Sequence, residues 1–186
     1  MFKNSNILVT GGTGSWGVEL IKQLLTLHPK NIIIFSRNEN SQVELKRKLS
    51  DNRLLFFIGD IRDKEALMTA TTNVDYIFHL AALKHVPVCE DNPLEAIKTN
   101  VLGTQYIINA AIENNVKKVI YVSTDKAADP VNTYGMTKAL GEKLMVHASM
   151  QKSNTQFVTV RGGNVLGSSG SVLPLFKKQI AELNEV

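Results

Sequence analysis

The chain has one cysteine, Cys89, among its 186 residues. A single thiol excludes an internal disulfide framework, which suits a reducing compartment. No apolar stretch approaches the roughly 18 residues a membrane helix needs. The N-terminus runs directly into a strand-like segment without a long apolar region, so no signal peptide is expected. Charge of one sign is not concentrated either. The formal net charge is +4, but the Lys and Arg are scattered, which reads as a solvated surface rather than a nucleic-acid patch. Low-complexity tracts, linkers and solenoid-length repeats are all missing. These absences predict a cytoplasmic protein with no nucleic-acid or membrane partner, and no metal site is expected. What is present is ordinary: 44% hydrophobic and 20% charged residues, in a length that suits one domain better than two.

Short runs rich in Ile and Val alternate with longer helical patterns. Strands are predicted at residues 6–10, 31–36, 54–59, 74–79, 116–123 and 157–160. Residues 32–35 are apolar on both faces, as a buried parallel strand requires. Helices are predicted at 15–28, 39–50, 63–71, 93–115 and 132–152, with Asp63 capping the third and Pro29 ending the first. This alternation predicts an α/β fold, a Rossmann-like doubly wound parallel sheet, with ligands at the C-terminal edge of its strands.

The turn after the first strand carries Gly11, Thr13, Gly14, Ser15, Trp16 and Gly17. Its glycines are spaced three apart. Gly11 permits a sharp exit from the strand, Gly14 lets backbone approach a pyrophosphate, and Gly17 allows close helix packing. The helix that follows offers free N–H groups to an anion. Glycines also mark ordinary turns, but here the strand–turn–helix context favours a dinucleotide. The second strand ends in Ser36 and Arg37, with no carboxylate before Glu39. NAD sites usually place an acid there for the ribose hydroxyl, whereas Ser36 and Arg37 suit a 2′-phosphate. NADP is therefore expected over NAD. Asp60 and Ile61 follow the third strand, where Asp60 has two readings, an adenine contact or a loop cap. His79 ends the fourth strand and reads as structural. Ala81 and Ala82, just beyond, are small enough for a cofactor to pass close to the backbone.

Tyr134 and Lys138 stand four apart near the start of a helix and share one face. An ammonium beside a phenol stabilises phenolate and lowers its pKa. Such a tyrosine can take a proton from a sugar or alcohol hydroxyl while hydride leaves for a nicotinamide. Alone, the spacing is common by chance. After a glycine-rich turn and a strand ending in Ser123 and Thr124, it is informative.

These motifs together resemble the extended short-chain dehydrogenase/reductases. Within them, HLAALKHVP at 79–87, NPLEAIKTN at 92–100, STDKAADPVNTYGMTK at 123–138 and GNVLGSSGS at 163–171 are similar to the UDP-N-acetylglucosamine 4,6-dehydratases, particularly the soluble C5-inverting type. The resemblance covers essentially the whole chain. It implies that Tyr134, assisted by Lys138, oxidises C4 of a UDP-sugar, that Lys126 takes the C5 proton and that Asp125 protonates the departing C6 hydroxyl. It implies a buried, mutually charged setting for that acid–base pair. Lys84 is implied near both cofactor and substrate, and Thr124 and Asn164 near the sugar. Val165, Leu166, Gly167 and Ser168 are implied at the nicotinamide end, Val172 on the uridine side, and Asn100 beside a proton-relay water or bonded to backbone. Relatives assemble through helices like those at 93–115 and 132–152, so a homo-oligomer, at least a dimer, is expected.

The chain departs from this pattern at Asn38, where an acid is common, and at Gly162, where an aromatic residue is usual. It also stops at Val186. The expected organisation is an NADP-binding Rossmann domain with the catalytic residues over 1–170, and over 171–186 the start of a substrate-binding lobe that is largely absent, leaving activity of the chain by itself open. Two other functions compete: a 4-epimerase or 4-keto reductase on the same scaffold, which has no use for Asp125 and Lys126 as an elimination pair, and a catalytically silent NADP-binding module.

Overall fold

The computed structural model describes residues 2–165 and 172–183. Six strands, β1 (Asn6–Thr10), β2 (Asn31–Ser36), β3 (Leu54–Ile58), β4 (Tyr76–His79), β5 (Lys118–Thr124) and β6 (Gln156–Gly162), form one sheet. Every pairing is parallel, and the order is β3-β2-β1-β4-β5-β6. Strand order therefore reverses direction between β1 and β4, the switch point at which open α/β sheets bind ligands.

The strands form because they are apolar on alternate sides of a pleat that is covered on both faces. In β1, Ile7 and Val9 enter a cluster with Ile21, Leu24, Ile32 and Ile34. Leu8 points the other way, to Ile77, Ile107, Val119, Tyr121 and Met145. All three β1 side chains are fully buried, each contributing about 1.5–3 kcal/mol by burial. The buried edge of each helix follows the same logic. Ile21 and Leu24 of α1 (Ser15–Leu25) face the first cluster, and Ile107, Ala110 and Ala111 of α6 (Gly103–Glu113) face the second.

Three further helices are closed by side-chain caps. Asn38 caps α2 (Glu39–Leu49), Asp63 caps α3 (Lys64–Ala70), as expected, and Asn132 caps α7 (Thr133–Ser149). Helix α1 is shorter than predicted, its C-cap being Thr26, and β6 runs on to Gly162. The largest difference lies between β4 and β5. The predicted continuous helix at 93–115 is three pieces, preceded by an unpredicted α4 (Val86–Asp91). Asn92 interrupts the chain at φ −132°, ψ 59°, before Pro93 starts α5 (Pro93–Ala96). A π-helical segment (Ile97–Leu102) then leads into α6. Such segments concentrate at functional sites, and this one contains Asn100. A last helix, α8 (Val172–Leu183), follows β6. No helix among the described residues is long and apolar enough to cross a membrane.

Candidate active site

The C-terminal ends of β1, β2, β4, β5 and β6 open into one cleft of about 770 Å³, within the usual range for a ligand site. Gly11, Thr13, Gly14, Ser15, Trp16 and Gly17 form its central wall. Gly11 has φ +69°, and a Cβ there would stand 2.9 Å from the Ala81 backbone nitrogen. The position thus requires glycine both for conformation and for the approach of the two loops. Gly14 is the N-cap of α1 and supplies no side-chain cap, and the first turn of α1 holds no acidic residue. No side chain caps the start of this helix, where α2, α3 and α7 are capped by Asn38, Asp63 and Asn132. Uncapped N–H groups, a positive helix end and close backbone fit a pyrophosphate.

On the β2 side of this wall lie Ser36, Arg37 and Asn38. Ser36 Oγ accepts from Gln42 Nε2 at 2.9 Å, which leaves its hydroxyl proton free to be donated. Arg37 is exposed at the cleft. Ile61 also lines the cleft. The carboxylate of Asp60 is instead engaged by Arg62, at 2.6 Å, and by the Arg62 backbone N–H at 2.9 Å. The Arg62 guanidinium holds its pKa below the usual carboxylate range. Of the two sequence readings, the loop role is the one this geometry displays.

The β4 end is fixed by a buried polar chain. Thr10 Oγ1 meets His79 Nδ1 at 2.7 Å, and His79 Nε2 meets Thr104 Oγ1 at 3.2 Å. Thr104 Oγ1 donates to the Asn100 carbonyl at 2.7 Å. Its lone pair then accepts from Nε2–H, so Nδ1 accepts the Thr10 proton and the ring is neutral. Burial, reinforced by the charge of Lys138, pushes the imidazole down to about 3, in keeping with the structural reading of His79. The Asn100 side chain is occupied by backbone: its Oδ1 accepts from Leu83 N–H at 2.8 Å, and its Nδ2 donates to the Leu83 carbonyl and to Thr137 Oγ1. The β4 loop it holds presents Ala81, Ala82 and Lys84 to the cleft.

Tyr134 and Lys138, on α7, both line the cleft, but the expected lowering of the phenol does not appear. Tyr134 is half-buried and its pKa is raised by desolvation; the Thr124 hydroxyl opposes this and the Asp125 charge adds to it. The reason is where the ammonium goes. Lys138 is 3% exposed, its Nζ donates to the Val122 carbonyl at 2.7 Å and stands 3.9 Å from the centroid of the Tyr121 ring. Burial pushes Lys138 down to about 7, against the attraction of Glu142. Glu142 lies one turn further along the same helix and is gripped through both oxygens by Arg161 of β6, at 2.9 and 2.7 Å.

Asp125 and Lys126 follow β5 in a 3₁₀ turn (Asp125–Ala127). The pair is open to solvent, with side chains 55% and 36% exposed. Thr124 Oγ1 donates to Asp125 Oδ1 at 2.9 Å. This bond, then the neighbouring ammonium, holds the carboxyl below its usual range. Lys126 Nζ reaches Asp125 Oδ1 at 3.3 Å and Asn164 Oδ1 at 3.2 Å. One lysine thereby joins the end of β5 to the segment after β6.

Thr124, Lys126, Asn164 and Val165 line the cleft together with Tyr134 and Lys138. Leu166, Gly167 and Ser168 lie outside the described residues, as does the side chain of Val172 at the start of α8. Sequence reasoning missed Glu142 and Arg161, although Glu142 repeats the four-residue spacing of Tyr134 and Lys138. It also missed Glu90 of α4, which accepts from Thr133 N–H at 2.7 Å and from Thr133 Oγ1 at 3.0 Å. That carboxylate anchors the first turn of the helix carrying Tyr134, and nothing local in the sequence signals it.

Comparison with known proteins agrees with this geometry. The chain is 52% identical over 185 residues to a UDP-N-acetylglucosamine 4,6-dehydratase (inverting) of Campylobacter jejuni, covering 98% of this chain and 55% of that protein. It is 46% identical to a UDP-glucose 4-epimerase of Rickettsia felis, covering 98% and 55%. The chain thus spans about half the length of the curated relatives it matches. Among solved structures, Pen from Bacillus thuringiensis superposes with a TM-score of 0.98 at 45% identity, over 100% of this chain and 58% of that one. DesIV, a dTDP-glucose 4,6-dehydratase from Streptomyces venezuelae solved with NAD and TYD bound, superposes with a TM-score of 0.83 at 25% identity, over 95% and 62%. The profile of one family, described as polysaccharide biosynthesis protein, matches residues 7–186, and with this sheet, this glycine-rich turn and this Tyr–Lys pair the chain belongs to that family of short-chain dehydrogenase/reductase-type nucleotide-sugar enzymes.

Proposed function

We propose that the chain is the cofactor-binding and catalytic portion of an NADP-dependent UDP-N-acetyl-hexosamine 4,6-dehydratase of the C5-inverting kind. The observation that carries this reading is the joining of Lys126, Asp125 and Asn164 at the mouth of the cleft that also holds Tyr134 and Lys138. A 4-epimerase acts at C4 alone and has no task for a second acid–base pair. Residues 1–170 then form the cofactor domain, and 171–186 begin the part that holds the nucleotide-sugar.

The residues fit a dinucleotide: uncapped helix N–H groups for the pyrophosphate, and a donor pair at the β2 end. A dinucleotide held by the glycine-rich turn, Ser36 and Arg37 would supply the acceptor for hydride from C4 of the sugar and the donor that returns it to C6. Tyr134 accepts the C4 hydroxyl proton, with the Thr124 hydroxyl beside it. Lys138 sits below as a proton reservoir, poised to change charge near neutrality. The ketone so formed acidifies C5–H, which Lys126 removes once it is uncharged. Asp125, protonated, delivers a proton to the C6 oxygen as water leaves. Ser36 and Arg37 receive a 2′-phosphate, which is why NADP is favoured over NAD. Exposed Leu102, Met136 and Leu140 on the π segment and α7 supply an apolar face for a second copy, so the assembly is at least a dimer.

The test is incubation with UDP-N-acetylglucosamine and NADP⁺, followed by NMR. A 4-keto-6-deoxy sugar without net NADPH is the expected product. Lys126→Ala abolishes elimination and leaves cofactor binding unchanged. A variant that retains full activity sinks the assignment of Lys126 as base. A C4 epimer in place of the keto sugar identifies the epimerase instead.

A further inference from the structure

Trp16 is the chain's one tryptophan, and its indole belongs to neither core cluster. It is 40% exposed and lines the cleft. From the start of α1 it reaches across to the end of β6. A Cβ built on Gly162 would stand 3.2 Å from both Cη2 and Cζ2 of the indole, and among the described residues these are its only neighbours within 4 Å. Gly162 is therefore not needed for backbone conformation. It leaves room for one side chain, and that side chain is Trp16.

The direction in which the indole leans has a consequence. The cleft is divided by the switch point between β1 and β4. Ser36 and Arg37 stand on the β2 side, and Tyr134, Lys138 and Gly162 stand on the β5–β6 side. A dinucleotide lying across the switch point puts its adenosine on one side and its reacting ring on the other. Trp16 follows the pyrophosphate-binding turn and leans to the catalytic side. We infer that the nicotinamide ring packs against the Trp16 indole, and that Trp16 and Gly162 form a size-matched pair which sets the width of the cleft at the reacting end. This rests on the dinucleotide reading of the cleft. Physically, the electron-rich indole is a favourable partner for the cationic, electron-poor pyridinium of the oxidised cofactor, and it shields that ring from water.

The single tryptophan makes the contact directly observable without turnover. NADP⁺ and 2′-phospho-ADP-ribose, which lacks only the nicotinamide, are titrated into the protein by calorimetry and by indole fluorescence. NAD⁺ and ADP-ribose run alongside, so that the 2′-phosphate does not enter the comparison. Both members of a pair are expected to bind. Only the member carrying the ring quenches Trp16 emission several-fold. If both bind and alter emission equally, or neither alters it, the packing inference is overturned while the dinucleotide reading stands. If neither member of either pair binds, the dinucleotide reading itself fails and the inference falls with it. The size match is tested by a cycle. Gly162→Tyr weakens NADP⁺ binding about tenfold and 2′-phospho-ADP-ribose binding by less than about twofold, and Trp16→Ala in the same chain restores NADP⁺ to within about threefold. Equal losses for both ligands, or losses in the two variants that simply add, refute the pairing.

Discussion

Lys138 should make the folded chain less stable than it could be, and Lys138→Met tests this. The ammonium is almost wholly buried, and its pKa falls from 10.5 to about 7. A lowered lysine pKa means that the fold disfavours the charged form. Below about pH 7 both folded and unfolded chains carry the proton, and the penalty is fully present. Between 7 and 10.5 only the unfolded chain is protonated, so the penalty shrinks as pH rises, and above 10.5 it vanishes. The shift of 10.5 minus about 7 corresponds to about 5 kcal/mol at about 1.4 kcal/mol per unit. Methionine removes this penalty and keeps most of the side-chain volume. It forfeits the hydrogen bond to the Val122 carbonyl, about 1 kcal/mol.

The net expectation is a gain of roughly 3–4 kcal/mol for Lys138→Met at about pH 6, falling toward zero or slightly below it at about pH 10.5. Denaturant unfolding of both proteins across this range supplies the curve. Taking the difference between them cancels the other titrating groups, provided the variant leaves those groups unchanged. The variant must also lose sugar oxidation, since Tyr134 then lacks its proton partner. A variant less stable than the parent at about pH 6, or a difference that does not change with pH, would refute the claim that burial of a charge sets this lysine's pKa.

Three further outcomes follow from the same structure. Gly135→Ala places a Cβ on the Lys126 carbonyl oxygen. It should cost about 1–3 kcal/mol of stability and slow elimination more than cofactor binding, as read by thermal melts and by product formation against NADP⁺ affinity. Glu90→Gln removes one of two acceptors and a charge at the start of α7. A loss of about 0.5–1.5 kcal/mol by denaturant unfolding is expected. Arg37→Ala should weaken NADP⁺ by about tenfold or more and leave NAD⁺ nearly unchanged, and calorimetry with equal losses for both would exclude Arg37 as the 2′-phosphate ligand.

The parts of the fold that were legible are those where one physical demand governs each position. β1 and β2 fall where predicted because strands buried on both faces are apolar throughout. The cap Asp63 was legible for a similar reason, as a short polar side chain before a helical pattern has few other uses. The region 86–102 was opaque because two demands compete. Pro87 starts a short helix that no periodic pattern announced, Pro93 starts another where one long helix was predicted, and the π segment shifts that pattern by one residue without changing composition. In the site, Tyr134 and Lys138 were legible from spacing, but their electrostatics were not. Spacing places the ammonium near the phenol on the helix, while the carbonyl of Val122, a residue of another element, decides where Nζ points. Glu142 with Arg161, Glu90 with Thr133, and Trp16 with Gly162 are likewise brought together by the fold, and in each pair no local pattern in the sequence names the partner.

The charge states of the site divide its two tasks between the protein and the substrate. Lys138 is buried, fixed by the Val122 carbonyl and the Tyr121 ring, and already titrates near neutrality. The fold alone sets that state, so on the proposed function the group that would support sugar oxidation is ready before any sugar arrives. Asp125 and Lys126 are in the opposite condition. They are solvated and paired with each other, with the carboxyl held low, a state in which the acid has no proton to give. On the proposed function, elimination needs a protonated carboxyl at Asp125, which desolvation favours because it penalises the charged form. If the proposed function holds, a sugar seated on Thr124 and Asn164 would supply that desolvation and would also compete for the Asn164 oxygen that now holds the lysine. The proposed elimination pair would then be switched on by the ligand it acts upon, while Tyr134 and Lys138 are set by the protein. On this account water is expelled from C5 and C6 only after the sugar has reached the half of the cleft where it is oxidised.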